Sequence, residues 1–256
     1  MLLRLRVRLP DRPGSLGQVA RTLGVTGADI VQMVVLERVG GRAVDDFTVI
    51  WPAAAPVDRI LSGLGAIPGV GVEGVWRSIG APAVGGADAE LVGQVAANPA
   101  DGIATLTDAV PGLLSADWAA VLAVPADWAR GDDHGAGTPG VVHASWRAPQ
   151  PLCPPDVTPL RPRAFDSGDG CRYAAAPFGR AGLVLVAARS GETSADPSLP
   201  CPGFHTTEVD RLAQLVRASA IVLGPLLEQP PGLVHRPDSW PVNAPPATRF
   251  VAAFER

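Results

Sequence analysis

Lysine is absent: all 21 basic residues of this 256-residue chain are arginine. Schiff-base chemistry and a phosphate-loop lysine are thereby excluded. A high-GC genome accounts for the bias, as it does for the wealth of Ala, Gly, Pro and Val. No apolar run reaches the roughly 18 residues that a membrane helix needs. The N-terminal MLLRLRVRLP has no separate apolar signal core, so a cytoplasmic protein that meets no membrane is expected. The three cysteines, Cys153, Cys171 and Cys201, are odd in number and widely spaced, without a CxxC pair or a disulfide framework. His134, His143, His205 and His235 show no metal-ligand spacing, and neither a metal nor a cofactor is expected. A net charge of -4 gives no electrostatic footprint for nucleic acid. The nucleophile-elbow and dinucleotide-loop glycine patterns are both missing.

What the chain does have is apolar material, 47% of its residues, enough for one large or two modest cores. Leu3, Leu5, Val7 and Leu9 alternate with Arg4, Arg6 and Arg8, the period of a strand with one buried face. After Asp11-Arg12-Pro13-Gly14, Leu16, Val19, Ala20 and Leu23 fall at helical spacing, and Gly24 and Gly27 mark the helix end. Residues 30–38 and 43–51 are β-rich runs joined by a Val-Gly-Gly-Arg hairpin signal. Ile60, Leu61 and Leu64 suggest a short helix, and 70–76 a last strand. The order is β-α-β-β-α-β, a ferredoxin-like arrangement.

Residues 79–88 read as a small-residue linker between a first domain at 1–78 and a second at 89–228. In the second, a helix is expected over 88–108 with an interruption near Asn98-Pro99. Strands are expected at 114–124, 140–146, 171–176 and 182–190, with long loops at 125–139 and 147–170. The clearest helix is 205–227, with Thr206 or Thr207 as cap and His205 taking part. Residues 229–256 form a Pro-rich tail, whose FVAAF end is read as an edge strand or a docked segment. Of the paired carboxylates Asp45-Asp46, which could do acid/base work, one is expected on the solvated face of the hairpin near Arg42 or Arg38. Trp118, Trp128 and Trp146 are expected in the core, and the Asp132-Asp133-His134 loop is expected in solvent.

The segment Asp11-Arg12-Pro13-Gly14-Ser15-Leu16, followed one helix later by Gly27-Ala28-Asp29-Ile30, resembles an ACT domain, an amino-acid-binding regulatory module, over residues 2–77. The stretch Ala181–Val186, Gly203-Phe204 and Glu208 with the long helix resembles a GAF domain over 88–228. The fold implied is α+β: a ferredoxin-like ACT domain followed by a GAF-like domain with an antiparallel sheet. The ACT resemblance implies ligand contacts from Asp11, Arg12, Pro13, Gly14, Ser15 and Leu16 of one chain, and from Ala28, Asp29, Ile30 and Gln32 of a neighbouring copy.

The helix start supplies free N–H groups and a positive dipole end for a carboxylate, with Gly14 allowing close approach. The two aspartates would hold an ammonium. The chain departs from serine-binding members, which carry asparagines at both aspartate positions and a polar residue where Leu9 stands. The plainer reading is that Asp11 caps or stabilises a turn and Pro-Gly only shapes the chain reversal.

The expectation is a non-catalytic regulatory homodimer that binds a small ligand, an amino acid first of all, and passes its output to an unidentified protein partner. A structural dimerisation module without ligand is the alternative. A thiol-dependent methionine sulfoxide reductase working through Cys153 and Cys201 is a third reading.

Overall fold

The computed structural model describes residues 1–78, 85–125, 139–179, 182–196, 198–199, 201–224 and 227. Two antiparallel sheets organise them into an α+β fold. Strand β1 (Leu2–Pro10), helix α1 (Ser15–Thr26), β2 (Asp29–Val39), β3 (Arg42–Ile50), α2 (Asp58–Gly65) and β4 (Gly71–Arg77) follow in the expected order. They form a sheet ordered β2-β3-β1-β4. The β2-β3 hairpin turns through Gly40 and Gly41, both at positive φ, as a tight hairpin turn requires.

In β1 every second residue, Leu3 to Leu9, packs with Phe47 and Val49 of β3 and with Val19, Leu23, Ile60 and Leu64 of the two helices. That face is the first core. β2 is an edge strand, and Val31, Met33 and Val35 on it are exposed.

The second unit starts with α3 (Ala87–Ala97) and, after a 3₁₀ turn at Pro99–Asp101, α4 (Gly102–Leu114). The helical run therefore extends six residues past 108, and the strand expected from 114 begins only at β5 (Trp118–Ala123). Leu106, Val110 and Leu114 carry the apolar stripe through Pro111 into the core. Ser115 at φ 49 then turns the chain into the strand.

β6 (Gly140–Ala144), β7 (Arg163–Asp166), β8 (Cys171–Pro177) and β9 (Leu183–Ser190) complete a sheet ordered β6-β5-β9-β8-β7. β7 lies within the loop expected at 147–170. It has four residues beside a proline-rich stretch, and its pairing with β8 rather than its own pattern makes it a strand. Helix α5 (Thr206–Leu223) packs with α3 and α4 on one face of this sheet.

The N-cap of α5 is His205, not Thr206 or Thr207. Its ring accepts from the Thr207 N–H, while Glu208 reaches back to the His205 N–H at 2.8 Å. Trp118 is buried, but Trp146 is 85% exposed, stacked by Arg147. Trp128, the Asp132-Asp133-His134 loop, most of the expected linker and the Pro-rich tail lie outside the described residues.

The two units interlock. Residues 194–195 run along β4, with the Ala195 N–H bonded to the Val75 carbonyl at 2.9 Å, and Leu199 packs into the first core.

Candidate functional site

The strand alternation that builds the first core also aims Arg4 and Arg6 at the opposite face of the sheet. Solvent does not reach them there: the two arginines are 8% and 4% exposed, because the second unit covers that face. Asp46 stands opposite Arg6 in β3 and accepts two parallel hydrogen bonds from it, at 2.8 and 2.9 Å. Arg4 approaches the same carboxylate at 3.1 Å and donates a close hydrogen bond to the Ser115 hydroxyl. From α5, Glu208 accepts from Arg6 at 2.8 Å and closely from Arg189 of β9. Arg189 is fully buried and also donates to the Leu114 and Ser115 carbonyls, the open C-terminal end of α4. The Trp76 ring lies within 5.2–5.8 Å of all three guanidiniums.

Burial alone would raise the Glu208 carboxyl, but Arg189 and Arg6 overcome it and hold it at about 2. Burial likewise opposes the charge on Arg6, yet Asp46 and Glu208 raise it above its ordinary value. For Arg4 burial wins and lowers the pKa, despite Asp46 and Glu208. Asp45 and Asp46 are 3% and 1% exposed, so the solvated hairpin face expected for one of them is overturned. β-strand parity puts Asp46 in the charged cluster and Asp45 on the helix face opposite Val7. One Asp45 oxygen finds no partner among the described residues, and burial, then Asp46, pushes its carboxyl up.

Beside this cluster, between the two units, lies a cavity of about 280 Å³. Arg4, Thr48, Gln32, Val34 and Leu36 from the first sheet form one wall. The start of α3, the end of α4 and the start of α5 form the other, with the Arg211–Asp88 pair (2.6 Å) among them.

The sequence-predicted residues fall in two places. Gly14, at φ 90, caps α1 without a side-chain hydrogen bond, and a Cβ added there would meet nothing within 4 Å. The Ser15 N–H bonds to the Arg12 carbonyl at 3.2 Å, leaving the N–H groups of Leu16 and Gly17 at the helix start. Arg12 and Pro13 are exposed beside it, and Ser15 is buried. Asp11 is already engaged: Arg38 of β2 grips it through contacts of 2.7 and 3.1 Å.

Ala28, Asp29 and Ile30 sit past the other end of α1, roughly 18 Å from its start at 1.5 Å per residue. One chain therefore does not bring Asp11 and Asp29 together. Gln32 lines the cavity between the units instead, because it shares a strand face with Val34 and Leu36.

Sequence reasoning missed Arg4, Thr48, Arg189 and Glu208. The readable signal was Arg189, a charge directly after the apolar run Leu183–Ala188.

No protein-family model matches the chain, and neither does any curated relative. Among solved structures, a formyltetrahydrofolate deformylase from Pseudomonas putida KT2440 aligns at 16% identity and a TM-score of 0.25. The alignment covers 29% of this chain and 28% of that one.

Cys153 is exposed, Cys171 half-buried and Cys201 buried, and all three are free thiols. Burial pushes the Cys171 and Cys201 thiols up, the opposite of what an attacking thiolate needs. Among the described residues no group of three or more His, Cys, Asp or Glu could hold a metal. No described helix is long and apolar enough to cross a membrane.

Proposed function

We propose a regulatory protein whose ACT-like first unit pairs with a second copy and holds a small ligand, an amino acid, at that interface. The observation that carries this reading is a helix start at Gly14 with no side-chain cap in the same unit as an edge strand, β2, that exposes Val31, Met33 and Val35. Two-fold pairing of such edges runs antiparallel. It sets the Asp29 end of one copy toward the hairpin end of the other, where the Asp11 loop is tied by the Asp11 N–H to the Gly41 carbonyl at 2.9 Å. A carboxylate at the α1 N-terminus and an ammonium near Asp29 would then be served by different copies.

Light scattering with calorimetry against the twenty amino acids tests this. A dimer with one binder, weakened by Asp29→Ala and abolished by Gly14→Asp, is the expected result. A folded monomer, or a dimer that binds none, overturns it. Asp29 is exposed, so its truncation leaves the fold intact.

A structural dimerisation module without ligand is favoured by one observation. The Arg38 guanidinium occupies the Asp11 carboxylate that an amino group would need.

A further inference from the structure

The buried cluster does not balance its charge. Three guanidiniums, Arg4, Arg6 and Arg189, share two carboxylates, Asp46 and Glu208. Glu208 is filled by Arg6, Arg189 and the His205 N–H, and Asp46 by Arg6 and Arg4. Among groups in direct contact one positive charge is left over in a buried site, an arrangement that is costly unless an anion answers it. The next buried carboxylate, Asp117, acts on Arg189 only from a distance and is held by the Ser190 N–H and the Thr193 hydroxyl.

The surplus falls on Arg4, whose Nε has no partner among the described residues, and Arg4 is the member of the three that lines the cavity between the units. The same wall carries Thr48, which is 4% exposed and whose hydroxyl takes no hydrogen bond among the described residues. Across the cavity, the eleven-residue α3 begins at Ala87, and its N-cap Gly86 supplies no side-chain hydrogen bond to the first N–H groups among the described residues. Of the other charges lining the cavity, Asp88 pairs with Arg211 and Glu208 is taken up by Arg6 and Arg189.

We propose that this cavity binds a small organic acid through one carboxylate, seated on Arg4 and the Thr48 hydroxyl and facing the N-terminus of α3. A single surplus charge calls for a monoanion. Val34, Leu36 and Leu113 on the walls call for a carbon skeleton rather than an inorganic ion. At about 280 Å³ the cavity accepts an acid of a few carbons. The ligand would touch both units, so its binding stiffens the joint between them. This site is separate from the α1 loop and stands without it.

Calorimetry on the full chain tests the proposal. The probes are short monocarboxylates (pyruvate, lactate, butyrate and the individual L-amino acids), with inorganic phosphate as control. Thr48→Val keeps the side-chain shape, and its melting midpoint without ligand should match the parent. Losing one hydrogen bond to a charged group should weaken the binding acid at least tenfold. Val34→Phe, which fills the cavity, should abolish binding, and Asp29→Ala should leave it unchanged. The proposal is overturned if no monocarboxylate binds, or if phosphate binds as tightly. It is equally overturned if Thr48→Val binds like the parent, or if binding is lost in Asp29→Ala, which would place the ligand at the edge-strand interface.

Discussion

One strand, β1, builds two opposite environments. On its helix face Leu3, Leu5 and Val7 are fully buried among aliphatic and aromatic side chains. On its other face Arg4 and Arg6 are nearly as buried, among carboxylates, carbonyls and an indole ring. Period-2 alternation assigns residues to faces and leaves open what covers each face. The apolar face is held by non-directional burial, which tolerates reshaping. The charged face is held by directional pairs whose members fail together.

Removing one member of each face measures that difference. Glu208→Gln leaves Arg6 and Arg189 facing an uncharged group in a dry site, and should cost about 3–5 kcal/mol. Leu5→Ala loses only apolar contacts and should cost about 2–5 kcal/mol. Denaturant melts of both variants check this. The sharper sign is the restoring partner. A second substitution, Arg6→Met, should recover part of the Glu208→Gln loss, whereas nothing on the charged face should rescue Leu5→Ala.

Acid separates the faces without mutation. The Glu208 carboxyl lies at about 2 in the folded protein against 4.5 ordinarily, because Arg189 and Arg6 outweigh the effect of burial. A carboxyl with a depressed folded pKa gives stability that is complete above its unfolded value and lost as pH falls through the folded one. The denaturation midpoint should therefore drop between about pH 4.5 and 2 in the parent. In Glu208→Gln that part of the drop should be missing.

Asp45 reverses the sign. It is as buried as Asp46 but on the helix face, where burial and then the Asp46 charge raise its carboxyl and no cation grips it closely. A raised carboxyl pKa destabilises the fold above that value and ceases to do so as pH falls through it. Asp45→Asn should stabilise by about 1 kcal/mol at pH 8. The gain should fade as the pH falls toward the range where Asp45 itself takes up a proton.

Much of the first unit was legible in the sequence. Its alternation, the Gly-Gly hairpin and the helix bounded by Gly14 and Gly27 are signals carried within a few residues. β7 was not legible, since Arg163–Asp166 becomes a strand only by pairing with β8. The charged cluster was out of reach for the same reason on a larger scale. Arg6 and Glu208 are 202 residues apart, and either alone reads as surface charge. Gln32, adjacent to the Asp29 segment in sequence, shares the cavity wall with Val34 and Leu36, a neighbourhood that the local motif does not show.

The smallest expected effect on stability tests the function most directly. Arg38 and Asp11 form an exposed pair at the hairpin end, where water screens the attraction, so Arg38→Ala should leave the melting midpoint unchanged. The substitution nevertheless frees the Asp11 carboxylate beside the open start of α1. If an amino acid binds there, its ammonium no longer competes with a guanidinium, and Arg38→Ala should bind it several-fold more tightly. If the first unit serves only to pair two copies, the variant should dimerise like the parent and bind no amino acid. The charged face of β1 predicts the reverse for its own arginines: truncating Arg6 must be felt throughout the fold, because no water replaces what it holds.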